Sequence, residues 1–419
     1  MIATSEIKEL GMQTTKMNNT AIKVSINIVG AGPAGSLAAW LLAQQGHQVQ
    51  VFERSTYPIK GKICGEYLCP TGVNLIKSLK LGGLIGDYPE VLGMNIFDSL
   101  GLMVPTNFPG GQVGISLRRD QFDNDLIQKA MEAGVIFHFG HSVWQIHEEG
   151  NSIFLHTHTP EKQEKVFESE LLIGADGRQS IVGTYINAKK KHHAGRVAIH
   201  GYLNTPIGAL NHHGEMHLFN DGAYCGLNPV SNNLCNFSIV CEGKIVSSMK
   251  KSGISSVVKY YVDQSIRLKE LFSGQINQGH FNIQGGITNP VGSLSNLKGN
   301  VVLIGDAAGF IDPLTGEGIY HALLTAKLYC EKLLISKSFQ TCANHYHDKV
   351  DSIYAAKEKV NYLFQWLIKR PTFCHLISKF LNRRKVARDA FVGLIGNIYT
   401  PFQALKIIFM SSIKSEKGN

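Results

Sequence analysis

Two periodicities divide the chain. Residues 24–29, VSINIV, form a β-rich apolar run that meets GAGPAG; SLAAWLLAQQG follows, an Ala/Leu-rich helix stopped at Gly46. HQVQVFER (47–54) returns to strand pattern, which completes a β–turn–α–β unit. In RRDQFDNDLIQKAMEA (118–133), Phe122, Leu126, Ile127 and Met131 fall at helical spacing, with Gly134 as terminator and the strand VIFHFG behind it. Residues 142–173 alternate like a hairpin or meander and end in ELLIGADG. Short alternating segments then recur between about 195 and 290 (RVAIHGYL, GEMHLFN, AYCGLNPV, LCNFSIVC) and predict an antiparallel sheet with one helix near 254–272. NVVLI (300–304) is a buried-type strand, and from 317 onward the pattern is helical, divided by Pro371 and Pro401. The sequence carries no repeat and no long linker, so the expected architecture is α/β with interleaved parts.

Composition changes this picture little. A chain of 419 residues that is 44% hydrophobic can bury a large core. Residues 1–22 are polar and read as a flexible leader without a signal-peptide core, so synthesis and residence in the cytoplasm are expected. Cysteines stand at 64, 69, 225, 235, 241, 330, 342 and 374, with no CxxC pair to hold zinc or an iron–sulfur cluster. Adjacent histidines (192–193, 212–213) come with no carboxylate cluster, so no metal is expected.

Charge adds one feature. The net charge is +9, and much of the excess lies late: Lys369, Arg370, Lys379, Arg383, Arg384, Lys385 and Arg388. Aromatic–basic interleaving of a nucleic-acid surface is not evident. Basic residues between apolar ones at helical spacing fit either a helical cover over the core or peripheral contact with the inner face of an anionic membrane.

The chemistry sits at strand ends. In GAGPAG, Gly30 permits the tight turn, Gly32 lets the backbone approach a pyrophosphate, and Gly35 lets the helix pack on the strand; Pro33 and Ala34 begin that helix. The helix N-terminus offers free N–H groups to phosphates. Glu53, with Arg54 beside it, ends the second strand, placed to accept from ribose hydroxyls and to repel a 2′-phosphate. GADGRQS carries Asp176 at a third strand end, and LIGDAAGFIDPLTGEGIYHAL (303–323) is a strand, an acid (Asp306), a Gly/Pro-rich turn and a helix start.

In order and spacing, GAGPAG, GADGRQS and GDAAGFIDPLTGEG resemble the flavoprotein hydroxylase superfamily over roughly residues 24–330. The resemblance implies a Rossmann-like FAD-binding domain of the glutathione-reductase type (23–180 and 295–335), an antiparallel β substrate domain (181–294) and a C-terminal helical region (336–419). It implies FAD, with Asp306 at a ribityl hydroxyl, backbone N–H groups of Gly316, Gly318 and Ile319 at the flavin pyrimidine and N1, and Arg119 or its neighbour Arg118 at phosphates and ribose. NAD(P)H or another reductant would serve as transient donor, because no second fingerprint appears.

GKICGEYLCP (61–70) narrows the resemblance to the geranylgeranyl reductase-like flavoproteins, which carry KxCGG there; Glu66 replaces the second glycine. Gly309 and DPLTGEGI agree with that group. It implies reduction, or the reverse, of carbon–carbon double bonds in a hydrophobic isoprenoid- or lipid-like substrate. The alternative is a monooxygenase that hydroxylates an aromatic or polyketide-like substrate through a C4a-hydroperoxide. Lys62 and Cys64 would lie near the flavin. Lys62 beside Cys64 favours thiolate, and Cys64 or Glu66 is the candidate proton donor; packing on the flavin or plain surface roles are the bland alternatives.

Overall fold

The computed structural model describes residues 25–60, 62, 64–188, 195–249, 252–272, 274–276, 284–288, 299–310, 314 and 316–416. The expected leader, His192–His193 and residues 311–313 of the third motif lie outside them.

Strand β1 (Ser25–Val29) is the middle of a five-stranded parallel sheet. In order the strands are Val301–Leu303, Leu171–Gly174, β1, β2 (Gln48–Glu53) and Ile136–Phe139. Ile28 stands opposite Ile173 on one side and Val51 on the other. These three side chains share one face and pack on helix α1 (Pro33–Gln44) and on helices Arg119–Glu132 and Gly318–Ile335. The alternate residues Val29, Phe52 and Leu172 face Ile146, Ile153 and Leu155 of a three-stranded meander. Burial on both faces explains why the strands Leu171–Gly174 and Val301–Leu303 read as continuous apolar runs rather than alternating ones.

A seven-stranded sheet lies beside this unit, ordered Gln284–Thr288, Arg196–Asn204, Leu234–Glu242, Tyr224–Pro229, His213–Leu218, Gly93–Phe97 and Met103–Val104. Ile199, Leu203, Leu227, Phe237 and Ile239 face one way, onto helices Ile254–Val262 and Ile266–Phe272. The sequence predicts one helix there; Ser265 breaks it, accepting the Leu268 N–H at 3.3 Å as a new helix start. Gly93–Phe97 pairs in parallel with His213–Leu218, so the sheet borrows two edge strands from residues expected in the cofactor part. GMNIF is too short to declare its sheet by alternation.

Four helices follow: Phe339–Ile368, Pro371–Arg383, Lys385–Ile395 and Pro401–Glu416. Pro371 and Pro401 each open a helix, where a missing N–H costs nothing. Among the described residues, no helix is long and apolar enough to cross a membrane.

Candidate functional site

Three motifs that are far apart in sequence close on one cleft. Gly30 has φ +101°, and a Cβ there would sit 2.5 Å from the Ala175 carbonyl oxygen of the second motif. A Cβ on Gly305 of the third motif would lie 2.8 Å from the Ala34 Cβ. Gly32 caps α1 without any side-chain bond, and nothing lies within 4 Å of its hypothetical Cβ. A helix start with uncapped N–H groups and open space before it is a cradle for a phosphate. Pro33 occupies the first turn.

Glu53 is buried, and its carboxylate accepts the Ala31 N–H at 3.0 Å and the Ser55 N–H at 2.9 Å. Burial raises its pKa, but Lys62 and these two N–H groups outweigh that and leave the group below the ordinary range. Each oxygen keeps a second lone pair for a ribose hydroxyl. Arg54 and Lys62 are exposed at the rim.

Asp306 is where the fields of the site meet. Burial pushes its carboxyl up, against the opposing charges of Arg178, Arg119, His321 and Lys62. Those four residues come from the second motif, the helix Arg119–Glu132, the third motif and the KICGE segment. Asp176 accepts the Ser180 hydroxyl at 2.5 Å and the Ile181 N–H at 2.7 Å, one bond on each carboxylate oxygen, which fixes the turn. Gly316 has φ +67°, Gly318 begins the helix Gly318–Ile335 with open space at its Cβ position, and Ile319 is buried in the core below.

Both arginines of RRD are paired with acids. Arg119 forms a buried fork with Asp123, at 2.8 and 2.6 Å, while Arg118 pairs with Asp120 at the surface. The fork holds Arg119 beside Cys64.

Cys64 is nevertheless not the thiolate that Lys62 suggested. Burial raises its pKa, and the cation that opposes burial is Arg119; the net direction is upward. The Cys64 sulfur accepts the Glu66 N–H at 3.3 Å.

Glu66 is the hub. It is 2% exposed, with φ +52°, in the left-handed region that a glycine would adopt freely. Its carboxylate accepts the Arg119 N–H at 3.0 Å, the Tyr202 hydroxyl at 2.8 Å and the Asn236 amide at 3.3 Å. Its carbonyl oxygen accepts the Asn228 amide at 2.7 Å and the Leu117 N–H at 2.9 Å. Tyr202, Asn228 and Asn236 lie on the face of the seven-stranded sheet opposite its helices, with Ala198, Tyr224 and Val240 further along. The face grades from polar beside Glu66 to apolar beneath Leu314, Phe364 and Ile368.

Sequence reasoning missed Tyr202, Asn228 and Asn236, which stand 136–170 residues from Glu66. Alternation in RVAIHGYL and LCNFSIVC places them on one face, but nothing local says which face meets the cleft. Gly309 has a local reason: a Cβ there would sit 3.2 Å from the Tyr354 ring, whose hydroxyl donates to the Gly309 carbonyl at 3.0 Å. Among the described residues no three His, Cys, Asp or Glu side chains gather to hold a metal.

The profile of a family described as "FAD binding domain" matches residues 23–336. A menaquinone reductase of Mycobacterium tuberculosis (strain CDC 1551 / Oshkosh) is 29% identical over 323 residues, 73% of this chain and 75% of that protein. Digeranylgeranylglycerophospholipid reductase 1 of Methanopyrus kandleri is 24% identical over 73% of this chain and 79% of its own length. Among solved structures, the flavin-dependent brominase Bmp2 superposes with a TM-score of 0.76 at 18% identity, covering 95% of this chain and all of that one, a likeness of fold.

Proposed function

Since the chain belongs to the FAD binding domain family, we propose that this flavoprotein reduces a carbon–carbon double bond of a hydrophobic, isoprenoid-bearing substrate. FAD, once reduced, supplies the hydride. The chain supplies the rest: Gly32–Gly35 and Glu53 hold the adenine end, Asp306 and the turn Gly316–Ile319 the flavin end, and Glu66 the proton that the second carbon needs. The observation that carries the reading is Glu66, an ionisable group buried where KICGE meets the sheet, against an otherwise increasingly apolar face. The two reductases related to this chain are named for menaquinone and for a digeranylgeranylglycerophospholipid, which supports the substrate class.

The test is anaerobic. Protein purified with its flavin and photoreduced is expected to be reoxidised stoichiometrically by a polyprenyl substrate without oxygen, the product gaining two hydrogens. Reoxidation that requires oxygen and yields a hydroxylated product would instead establish the monooxygenase.

A bilayer is the natural reservoir for such a substrate, and the helix Pro371–Arg383 fits its surface. Phe373, Leu376, Ile377 and Phe380 share one face, exposed by 57, 57, 37 and 39%. Lys369, Arg370, Lys379 and Arg383 flank it. Replacing Phe373, Leu376 and Phe380 together by Ser is expected to lower partition onto phosphatidylglycerol-containing vesicles by roughly 100-fold or more, since each buried side chain contributes about 1.5–3 kcal/mol. Flotation measures it; unchanged flotation removes the helix from the contact.

A further inference from the structure

We infer that Lys357, far down the C-terminal region, is a positioning residue of the redox site: it neutralises Glu317 so that the adjoining helix start faces the flavin with net positive potential. The inference rests on the FAD reading above and goes beyond it, because Lys357 lies outside the residues matched by the family.

Glu317 sits between the two glycines of the third motif as the N-cap of helix Gly318–Ile335, yet makes no side-chain cap bond. Its carboxylate is 4% exposed and turns to the C-terminal helices instead. Lys357 donates to Oε1 at 2.7 Å, and the Asn397 amide donates to the same oxygen at 2.5 Å. Lys357 also donates to the Asn397 side-chain oxygen, and His321 Nε2 lies 3.4 Å from Oε2. Asn397 is locked in turn: its φ is +58°, and its carbonyl accepts the Thr71 hydroxyl at 2.8 Å.

Magnitudes decide what this arrangement does. A helix N-terminus carries about half an elementary positive charge. A buried, unpaired carboxylate at the cap position would more than cancel it and present a negative end. One ammonium 2.7 Å away restores the original sign. Burial alone raises the Glu317 pKa; Lys357 and His321 outweigh it and keep the group ionised. The pair is therefore a charge-balanced unit set directly beside Gly316 and Gly318. Reduction of the flavin adds negative charge, so the balance bears on reduced more than on oxidised cofactor.

The experiment measures flavin midpoint potentials on the full-length, FAD-loaded protein. Lys357→Met is expected to lower the potential and Glu317→Gln to raise it, each shifting the two-electron equilibrium tenfold or more, ~30 mV. Lys357→Met/Glu317→Gln should return close to wild type, and Lys357→Arg should stay there. An ion pair that served packing alone would not move the two single variants in opposite directions. If Lys357→Met fails to fold, as a stranded buried charge can cause, Glu317→Gln against the double variant makes the same comparison. Flavin retained at unmoved potentials, or both single variants shifted the same way, overturns the inference alone. A wild-type chain that holds no flavin overturns the reading beneath it as well.

Discussion

Gly35→Val is expected to yield a protein without flavin and with a folding deficit of about 4 kcal/mol or more. A Cβ at position 35 would lie 1.9 Å from the Gly30 carbonyl oxygen and 3.2 Å from the Ala175 Cβ. No rotamer relieves contact with backbone, so α1 must lift from β1. Helix α1 also packs in the core shared with helices Arg119–Glu132 and Gly318–Ile335, and its displacement opens the cleft from three sides. Gly32→Ala is the informative partner. Nothing lies within 4 Å of that Cβ, and its φ of −72° suits any residue. Apoprotein stability should stay within about 1 kcal/mol, the range for alanine at a helix N-cap. Flavin affinity should fall roughly 100-fold, about 2.7 kcal/mol, because the methyl group fills the space the backbone leaves for a pyrophosphate. Thermal melts of the apoprotein and flavin titration separate the two effects. A Gly32→Ala protein that binds flavin as wild type does would remove the pyrophosphate from this turn.

The contrast shows what kind of information a sequence holds. Gly30, Gly32, Gly35 and Glu53 are legible because a strand, a turn and a helix within thirty residues determine their geometry. Asp306 is legible for the same reason, at a strand end before a glycine-rich turn. Cys64 reads differently in sequence and in space because burial, which raises its pKa, outweighs the neighbouring cation, and burial is not visible in a glycine-flanked turn. Arg119 fits a phosphate-binding pattern in sequence; the fold adds an acid one helical turn later that takes one edge of its guanidinium through Nε and Nη2. The Glu317–Lys357–Asn397 cluster depends on helices packed from 40 and 80 residues away, and no periodicity reports such pairings. The seven-stranded sheet is visible as alternation, but Gly93–Phe97, next to its edge strand Met103–Val104, comes from another part of the chain.

Glu66→Gln is expected to keep fold and flavin yet lower the rate of double-bond reduction by about 10²–10⁴-fold, the range for loss of a positioned proton donor. The amide is close to isosteric. Its oxygen can still accept the Arg119 N–H, and its NH₂ can donate to the Tyr202 hydroxyl if Asn236 turns its unpaired side-chain oxygen inward. Glu66→Ala offers no such repair. It keeps the left-handed backbone and strands the donors of Arg119, Tyr202 and Asn236, for a cost of about 3 kcal/mol or more. Stability against pH gives an independent reading. Burial raises the Glu66 pKa above the ordinary 4.5, against the Arg119 N–H and the Tyr202 hydroxyl. A carboxyl raised on folding holds its proton more tightly in the folded chain, so its stabilising contribution is complete below the unfolded value. It is lost as pH rises through the folded value. The melting temperature of wild type relative to Glu66→Gln should therefore decline as pH rises above about 4.5. Parallel melting curves would mean that Glu66 does not change its protonation on folding. With reduction also within threefold of wild type, roughly 0.65 kcal/mol, the carboxylate would be a structural tie between cleft and sheet, and the proton would come from another group such as Cys64, whose raised pKa keeps it protonated, or the Tyr202 hydroxyl.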